Sequence, residues 1–334
     1  MKNKMNKQLK YINELIEFLK NEKIVYIQPH NFPDHDAICS AFALQEFLKL
    51  HSISTKIVYD KFIQRKSLRR MIKDLSIEVF HHSELDIKST EKIILVDGCK
   101  GNSNITDLPG DEIAVIDHHH VSSPDDVKFP LILNKYGACA TIIGEFFKIC
   151  SLTINEKTAS ALMIGISMDT ALFSRRFSPN DLEIYRLCYE IADVNYVCSV
   201  LRNNTRKSDL KYFSHLIDNF YFYGPAAFCH FENGCDKNLL GVLADFTLSL
   251  DEIDFVVLSA ENEDCVNFSL RSEVKKWDTS LIIQDVLKDI GYGGGHQDMS
   301  GGIINNPNDF NELSIRDKII NHLNITKKSK SSVE

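Results

Sequence analysis

An α/β fold, with a parallel-sheet domain followed by a smaller α/β domain, is the class this sequence predicts, and three observations carry it. Short apolar runs of strand length alternate with amphipathic helical runs as far as about residue 190, the signature of βαβ units and a parallel sheet. A polar, charged stretch, Leu201-Arg-Asn-Asn-Thr-Arg-Lys-Ser-Asp209, then interrupts the alternation and reads as a linker region. Beyond it the strand and helix patterns resume over a shorter span.

The first helix follows from Leu9, Ile12, Leu15, Ile16 and Leu19, with Glu14 and Glu17 between them. Ile24 to Ile27 is a strand. It runs into His30-Asn-Phe-Pro-Asp34-His35-Asp36, and the run Phe42, Leu44, Phe47, Leu48, Leu50 makes the following segment a helix. Thr55 to Tyr59 is a second strand, and Lys61 to Lys73 is a basic helical stretch whose charges face either a phosphate or solvent. Lys92 to Val96 and Ile113 to Ile116 are buried strands, the first ending in Asp97 and the second in Asp117-His118-His119-His120. An apolar helical stretch from Ala161 runs into Asp169, and Ser174-Arg175-Arg176 lies just beyond. In the second domain Ala226 to Phe231, Asp254 to Ala260 and Cys265 to Leu270 read as strands, with helices near Lys237 to Leu250 and Ser280 to Leu287. The expected boundaries are 1–195 for the first domain, 196–215 for the linker, 216–326 for the second domain and 327–334 for a disordered tail.

Composition narrows the function. With 44% hydrophobic and 25% charged residues in 334, the chain has enough apolar material for two cores. No apolar run approaches the roughly 18 residues of a membrane span. The basic start leads into an amphipathic pattern rather than an apolar block, so a cytoplasmic location is expected. Nine cysteines without a CxxC pair fit free thiols. A formal net charge of -8 argues against a broad basic face for long duplex nucleic acid, and leaves room for a small anionic substrate held by metals and a few cations. No membrane partner is expected, and a homodimer is left open.

Several chemistries are excluded by their motifs. The Gly291-Tyr-Gly293-Gly294-Gly295-His296 cluster has histidine where a dinucleotide fingerprint needs glycine, and no GxxxxGK[ST] or HExxH occurs. What remains is His30, Asp34, Asp36, Asp97, His118 and Asp169, delivered at the ends of successive elements. The simpler reading of Asp34 and Asp36 is that they start a helix. Four carboxylates and two imidazoles without thiolate form a ligand set for manganese, with magnesium the alternative. Six ligands are too many for one catalytic ion and serve two ions if one carboxylate bridges; Asp97, on a central strand, is the candidate bridge.

These residues resemble the motifs of the DHH phosphoesterases: His30-x-x-Pro-Asp34-x-Asp36-Ala, Val96-Asp97, Asp117-His118-His119 and Asp169-Thr170, with Arg271 and Gly293-Gly-Gly-His296 resembling the DHH-associated C-terminal domain. The likeness is greatest to two-domain members that degrade very short RNA oligomers and dephosphorylate pAp. It implies one ion on His30, Asp34 and Asp97 and another on Asp36, Asp97, His118 and Asp169, so that Asp97 and His118 count among the catalytic groups. It also implies His119 on the reacting phosphoryl group, and Arg271 with Gly293, Gly294, Gly295 and His296 on a short nucleotide in an interdomain cleft; Arg175 is a further candidate for substrate phosphate. The expected activity is two-metal hydrolysis of short oligoribonucleotides or pAp. Alternatives are a cyclic dinucleotide phosphodiesterase and a non-catalytic nucleotide-binding regulator. The sequence departs from the family pattern at His35 and Cys39, where glycine is common, at Gly98-Cys99 and at Met299-Ser300.

Overall fold

A computed structural model describes residues 2–202 and 205–324. The chain divides into two compact units, residues 1–204 and 205–334. The division falls inside the span read as a linker, most of which is helical: one helix reaches Arg202 and another begins at Leu210. The expected tail, 327–334, lies outside the described residues.

The first unit runs α1 (Lys2–Leu19), β1 (Val25–Pro29), α2 (His35–Leu50), β2 (Thr55–Tyr59), α3 (Lys66–Leu75), β3 (Val79–His81), β4 (Lys92–Val96), β5 (Asp111–Asp117), β6 (Phe129–Ile132), α4 (Cys139–Ile149), α5 (Glu156–Asp169), α6 (Pro179–Tyr189) and α7 (Val194–Arg202). Its six strands are all parallel, in the order β3-β2-β1-β4-β5-β6. The chain winds outward from β1 to β3 and then returns to the other side of β1, so β1 and β4 flank the point where strand order reverses. Open α/β sheets hold ligands at that point, beyond the strands' carboxyl ends. Pro29 and Val96 are register partners there, and His30 and Asp97 are the next residues of the two strands.

Helix α2 is buried from His35 to Leu44 and packs against α4 and α5, while α5 is buried from Thr158 to Ser167. A helix covered on every side shows no polar stripe. This is why the segment ending at Asp169 reads as evenly apolar. Strands β3 and β6, at the sheet's edges, were not expected from the sequence; each is only three or four residues long and mostly half-buried.

The second unit runs α8 (Leu210–Asp218), β7 (Tyr221–Tyr223), β8 (Ala226–Phe231), α9 (Lys237–Leu248), β9 (Phe255–Asn262), β10 (Cys265–Ser272), α10 (Thr279–Val286), β11 (Tyr292–Gly295), β12 (Met299–Ile304) and α11 (Glu312–Leu323). The strand order is β11-β12-β10-β9-β8-β7; β8 and β9 are parallel and the other neighbours antiparallel. Alternation along β9 divides its side chains between two cores. Phe255 and Val257 join Ile283, Ile315 and Ile319, whereas Val256 and Leu258 join Leu240 and Leu243. Most of the glycine cluster lies in a strand, β11. Added Cβ atoms on Gly293 and Gly302 would stand 2.8 Å from Ile283 and 2.6 Å from Leu287, so both glycines let α10 lie against the hairpin.

Among the described residues no helix is long and apolar enough to cross a membrane.

Candidate metal centre

The strand ends deliver the candidate ligands. His30 follows β1, and its Nδ1 donates to the Asn31 carbonyl at 2.8 Å because a carbonyl can only accept. That tautomer leaves the Nε2 lone pair facing Asp97 Oδ2 at 3.7 Å and Asp34 Oδ1 at 3.9 Å. Asp34 is also the N-cap of α2, accepting from the Ala37 amide at 3.1 Å, so the capping role and a candidate ligand position coexist in one side chain. His118 follows the same rule. Its Nδ1 lies 3.3 Å from the Tyr136 carbonyl, and its Nε2 lies 3.3 Å from both Asp97 Oδ1 and Asp169 Oδ2. A fixed Nδ1–H that aims the other nitrogen is how proteins orient imidazole ligands.

Asp97 stands between the two imidazoles, one oxygen toward each. It is nearly inaccessible, and its backbone is left-handed, with φ at +55°, a strained conformation for a non-glycine residue. The Asp97 amide donates to the Ile116 carbonyl at 3.0 Å, which anchors the turn on β5. Asp97 Oδ1 and His118 Nε2 are buried and neither makes a hydrogen bond.

Asp36, fully buried at the start of α2, is held from a distant part of the chain. The amides of Cys139 and Ala140, at the N-terminus of α4, donate to it at 2.7 and 3.0 Å, and the Ser40 hydroxyl lies 3.3 Å away. A Cβ on Gly165 would stand 2.6 Å from Asp36 Oδ1, so α5 can approach only as glycine. Burial, together with the charges of Asp97 and Asp169, raises the Asp36 pKa well above the carboxylate range. Asp169, at the last position of α5, is raised first by burial and also by Asp34 and Asp97. For His118 burial opposes the charge, yet Asp169 and Asp97 outweigh it and hold the pKa well above the imidazole value. Crowded acids of this kind are stabilised by cations.

Three overlapping groups therefore have ligand atoms within 4.8 Å of one another: His30, Asp34 and Asp97; Asp97, His118 and His119; and Asp36, His118 and Asp169. Orphaned buried donor atoms and an oxygen-nitrogen donor set fit hard divalent cations.

His119 is oriented differently. Its Nδ1 lies 2.8 Å from Asp117 Oδ1, which also accepts from the His118 and His119 amides. Burial opposes protonation of His119, but Asp117 and Asp97 prevail and raise its pKa. Asp117 itself is fully buried and was not singled out as a site residue, although it sits within the Asp-His-His triplet. His35, one of the departures from the family pattern, is buried, with neither ring nitrogen hydrogen-bonded. Burial and the charge of Arg65 lower its pKa to about 4, so it is neutral.

Arg175 follows a run of left-handed residues, Ala171, Leu172 and Phe173, beyond Asp169. In the second unit the Arg271 guanidinium is engaged by Asp245 Oδ1 at 2.6 Å, Ser269 Oγ and the Leu270 carbonyl at 3.0 Å, and the Gly241 carbonyl at 3.4 Å. His296 is at the β11–β12 turn, its amide donating to the Met299 carbonyl at 2.7 Å. Of the neighbouring glycines, Gly295 has φ at +145°, and a Cβ on Gly294 would meet nothing within 4 Å. One feature that the sequence reading passed over is an aromatic pair. Phe32, between His30 and Asp34 with φ at +53°, is 41% exposed, and it packs edge-to-face at 5.2 Å on Phe62, which is 62% exposed.

Comparison with known proteins finds relatives in sequence and in fold. An uncharacterized protein of Methanocaldococcus jannaschii is 24% identical over 272 residues, 81% of this chain and 56% of its own length, so this chain spans little more than half of that relative. A probable manganese-dependent inorganic pyrophosphatase of Clostridium acetobutylicum is 23% identical over 307 residues, 80% of this chain and 94% of that protein. A bifunctional oligoribonuclease and PAP phosphatase of Mycoplasma genitalium is 27% identical over 212 residues, 59% of this chain and 62% of that protein. The fold matches a crystal structure of an exopolyphosphatase-related protein from Bacteroides fragilis, with a TM-score of 0.76 at 16% identity over 94% of this chain and 96% of that one. Family models for the DHH family N-terminal domain and the DHHA1 domain match residues 24–166 and 222–321. With both domains in order and the acids and imidazoles of all four motifs gathered at the strand ends of the first, this chain belongs to the DHH family.

Proposed function

We propose that the chain is a manganese-dependent phosphoesterase that hydrolyses short nucleotide substrates, pAp and very short oligoribonucleotides. The observation that carries this reading is the placement of Asp97, whose two oxygens face different imidazoles, as a carboxylate shared by two ions requires. His30, Asp34 and Asp97 hold one ion in this reading, and Asp36, Asp97, His118 and Asp169 the other. Such a pair supplies an activated water at neutral pH and stabilises charge developing on phosphoryl oxygens. The protein's own groups do the rest. Asp117 holds the His119 ring through Nδ1, and in this reading the imidazole contacts a phosphoryl oxygen. The left-handed turn at Asp97, pinned to β5 through its amide, fixes the backbone from which the carboxylate projects.

The nucleotide rather than pyrophosphate reading is supported by Phe32 and Phe62. Large exposed aromatic faces beside a phosphate-chemistry loop offer a nucleobase a stacking surface, worth about 1–3 kcal/mol per base. Pyrophosphate has no base to use it. In the second unit Arg271, Gly293, Gly294, Gly295 and His296 are assigned to substrate, as is Arg175 in the first. Asp245, which neutralises Arg271 and is half exposed, is the group a substrate phosphate displaces.

The direct test is chelation followed by readdition of manganese or magnesium, assayed against pAp, pApA, longer RNA, cyclic di-AMP and pyrophosphate. Turnover should disappear with the metal and return best with manganese on pAp and pApA. Full turnover after exhaustive chelation, or pyrophosphate as the best substrate, would defeat the proposal.

Two variants test substrate recognition. Phe62→Ala and Arg271→Ala should each raise KM for pApA about tenfold or more, the equivalent of losing roughly 1.4 kcal/mol of binding, with little effect on bis-p-nitrophenyl phosphate. Equal losses on both substrates together with a lowered Tm would instead make the residue structural.

A further inference from the structure

We infer that Asp60, His81 and His82 form a separate binding site for one late first-row divalent ion, such as zinc, at the edge of the parallel sheet. Asp60 directly follows β2; His81 ends β3, the neighbouring strand, and His82 comes next. Tyr59 and His81 are register partners, so parallel pairing brings the carboxylate and both rings to one place. Asp60 Oδ1 lies 3.3 Å from His82 Nε2 and 3.7 Å from His81 Nε2, and one ligand atom from each of the three residues lies within 4.8 Å of the others.

The spacing is that of atoms around an ion. Donors on one tetrahedral zinc at bond lengths of about 2.0–2.2 Å stand roughly 3.4 Å apart. The candidate catalytic cluster has the same spacings, 3.3 Å from His118 Nε2 to Asp97 Oδ1 and 3.7 Å from His30 Nε2 to Asp97 Oδ2. Neither Asp60–imidazole approach is among the hydrogen bonds of the structure, whereas Asp60 already has proton donors. Its Oδ1 accepts from the Lys61 amide at 2.6 Å, Thr106 Oγ1 donates to Oδ2, and the Lys61 ammonium stands 3.3 Å from Oδ2.

The ring of His81 is held in place by Ser83, whose amide donates to Nδ1 at 3.3 Å and whose hydroxyl lies 2.7 Å from the same nitrogen, so Nε2 is the edge turned toward Asp60. The carboxylate is buried and the two rings are partly exposed, which leaves the remaining coordination position to solvent or to a ligand. Two imidazoles and one carboxylate suit zinc, and by the Irving–Williams order they bind it more tightly than manganese. The site also touches the candidate catalytic loop. Thr106 Oγ1 lies 3.1 Å from the Asn31 side-chain amide, which can turn to donate to it, and the Asn31 carbonyl holds His30. An ion on Asp60 therefore braces the residue that orients His30.

Elemental analysis and calorimetric titration with zinc test the assignment on the full chain. The wild-type protein should bind one more equivalent than His81→Ala/His82→Ala. The same difference of one should appear in an Asp97→Ala background, where the candidate catalytic ions are disrupted; failure of the two-metal reading thus cannot mimic failure of this one. Equal stoichiometry in both backgrounds overturns the proposal. Should the double variant not fold, His82→Gln, at the most exposed of the three groups, is read instead: zinc binding weakened about tenfold or more supports the site, and unchanged binding overturns it.

Discussion

Asp97→Ala is expected to abolish turnover, with a loss of about 10³-fold or more, since metal-based charge stabilisation is worth several kcal/mol and each 1.36 kcal/mol is a factor of ten. Every other proposed ligand in the first unit faces part of the cluster, whereas Asp97 has one oxygen 3.3 Å from His118 Nε2 and the other 3.7 Å from His30 Nε2. Removing it empties or misplaces both ions, so His30→Ala or Asp169→Ala should be less severe. The left-handed turn raises the question of folding. Asp97→Asn answers it, because asparagine tolerates that backbone region nearly as well as aspartate while losing the charge. Both variants should fold and both should lose metal. Two tightly held ions in Asp97→Ala, measured by elemental analysis, would refute the bridging role.

Asp181→Ala is expected to give a large loss of stability, about 3–5 kcal/mol, because it leaves several buried donors unpaired. The Asp181 carboxylate, near the start of α6 and fully buried, accepts from the Gly137 amide at 3.0 and 3.1 Å, the Thr141 hydroxyl at 2.5 Å, and the Ser178 amide and hydroxyl at 2.6 Å each. For a unit of this size the Tm should fall by roughly 10 °C or more. The effect should reach the metal centre as well. Gly137 leads directly into α4, whose first amides hold Asp36. Asp181→Asn keeps the shape and part of the bonding, and should fall between the two. A Tm for Asp181→Ala within about 2 °C of wild type, by scanning calorimetry, would show that the network contributes under roughly 1 kcal/mol.

The legibility of this site in the sequence has a simple physical basis. In a parallel sheet the carboxyl ends of the strands lie together, so a residue that directly follows an apolar strand run is already placed by the run itself. His30, Asp97, His118 and His119 all stand in that relation to β1, β4 and β5, and Asp34 is two residues before Asp36 at the start of the next helix. The apolar strand runs β1, β4, β5, β8, β9 and β10, buried along most of their length, were readable for the same reason, as was the half-buried β2. The short edge strands β3 and β6 were not, since three or four residues with mixed burial carry little periodicity. The hairpin strand β11 was hidden by its glycines, which signal a loop unless one knows that α10 lies across them.

By itself, then, the sequence determined the α/β class with a smaller second domain, the apolar strands of the two sheets' interiors, a candidate donor set and the resemblance to the DHH phosphoesterases. The tertiary structure alone decided which groups share a site across long separations. The amides that hold Asp36 come from more than a hundred residues away, Gly165 had to be glycine because a helix from elsewhere passes over that carboxylate, and Asp181 closes on Gly137 from 44 residues on. Asp245 captures Arg271 across 26 residues, and His81 and His82 meet Asp60 because β2 and β3 pair. Strand and helix propensities act over a few neighbours and leave a local trace. Burial, charge pairing and close approach depend on where the folded chain returns, and no short stretch of sequence records that.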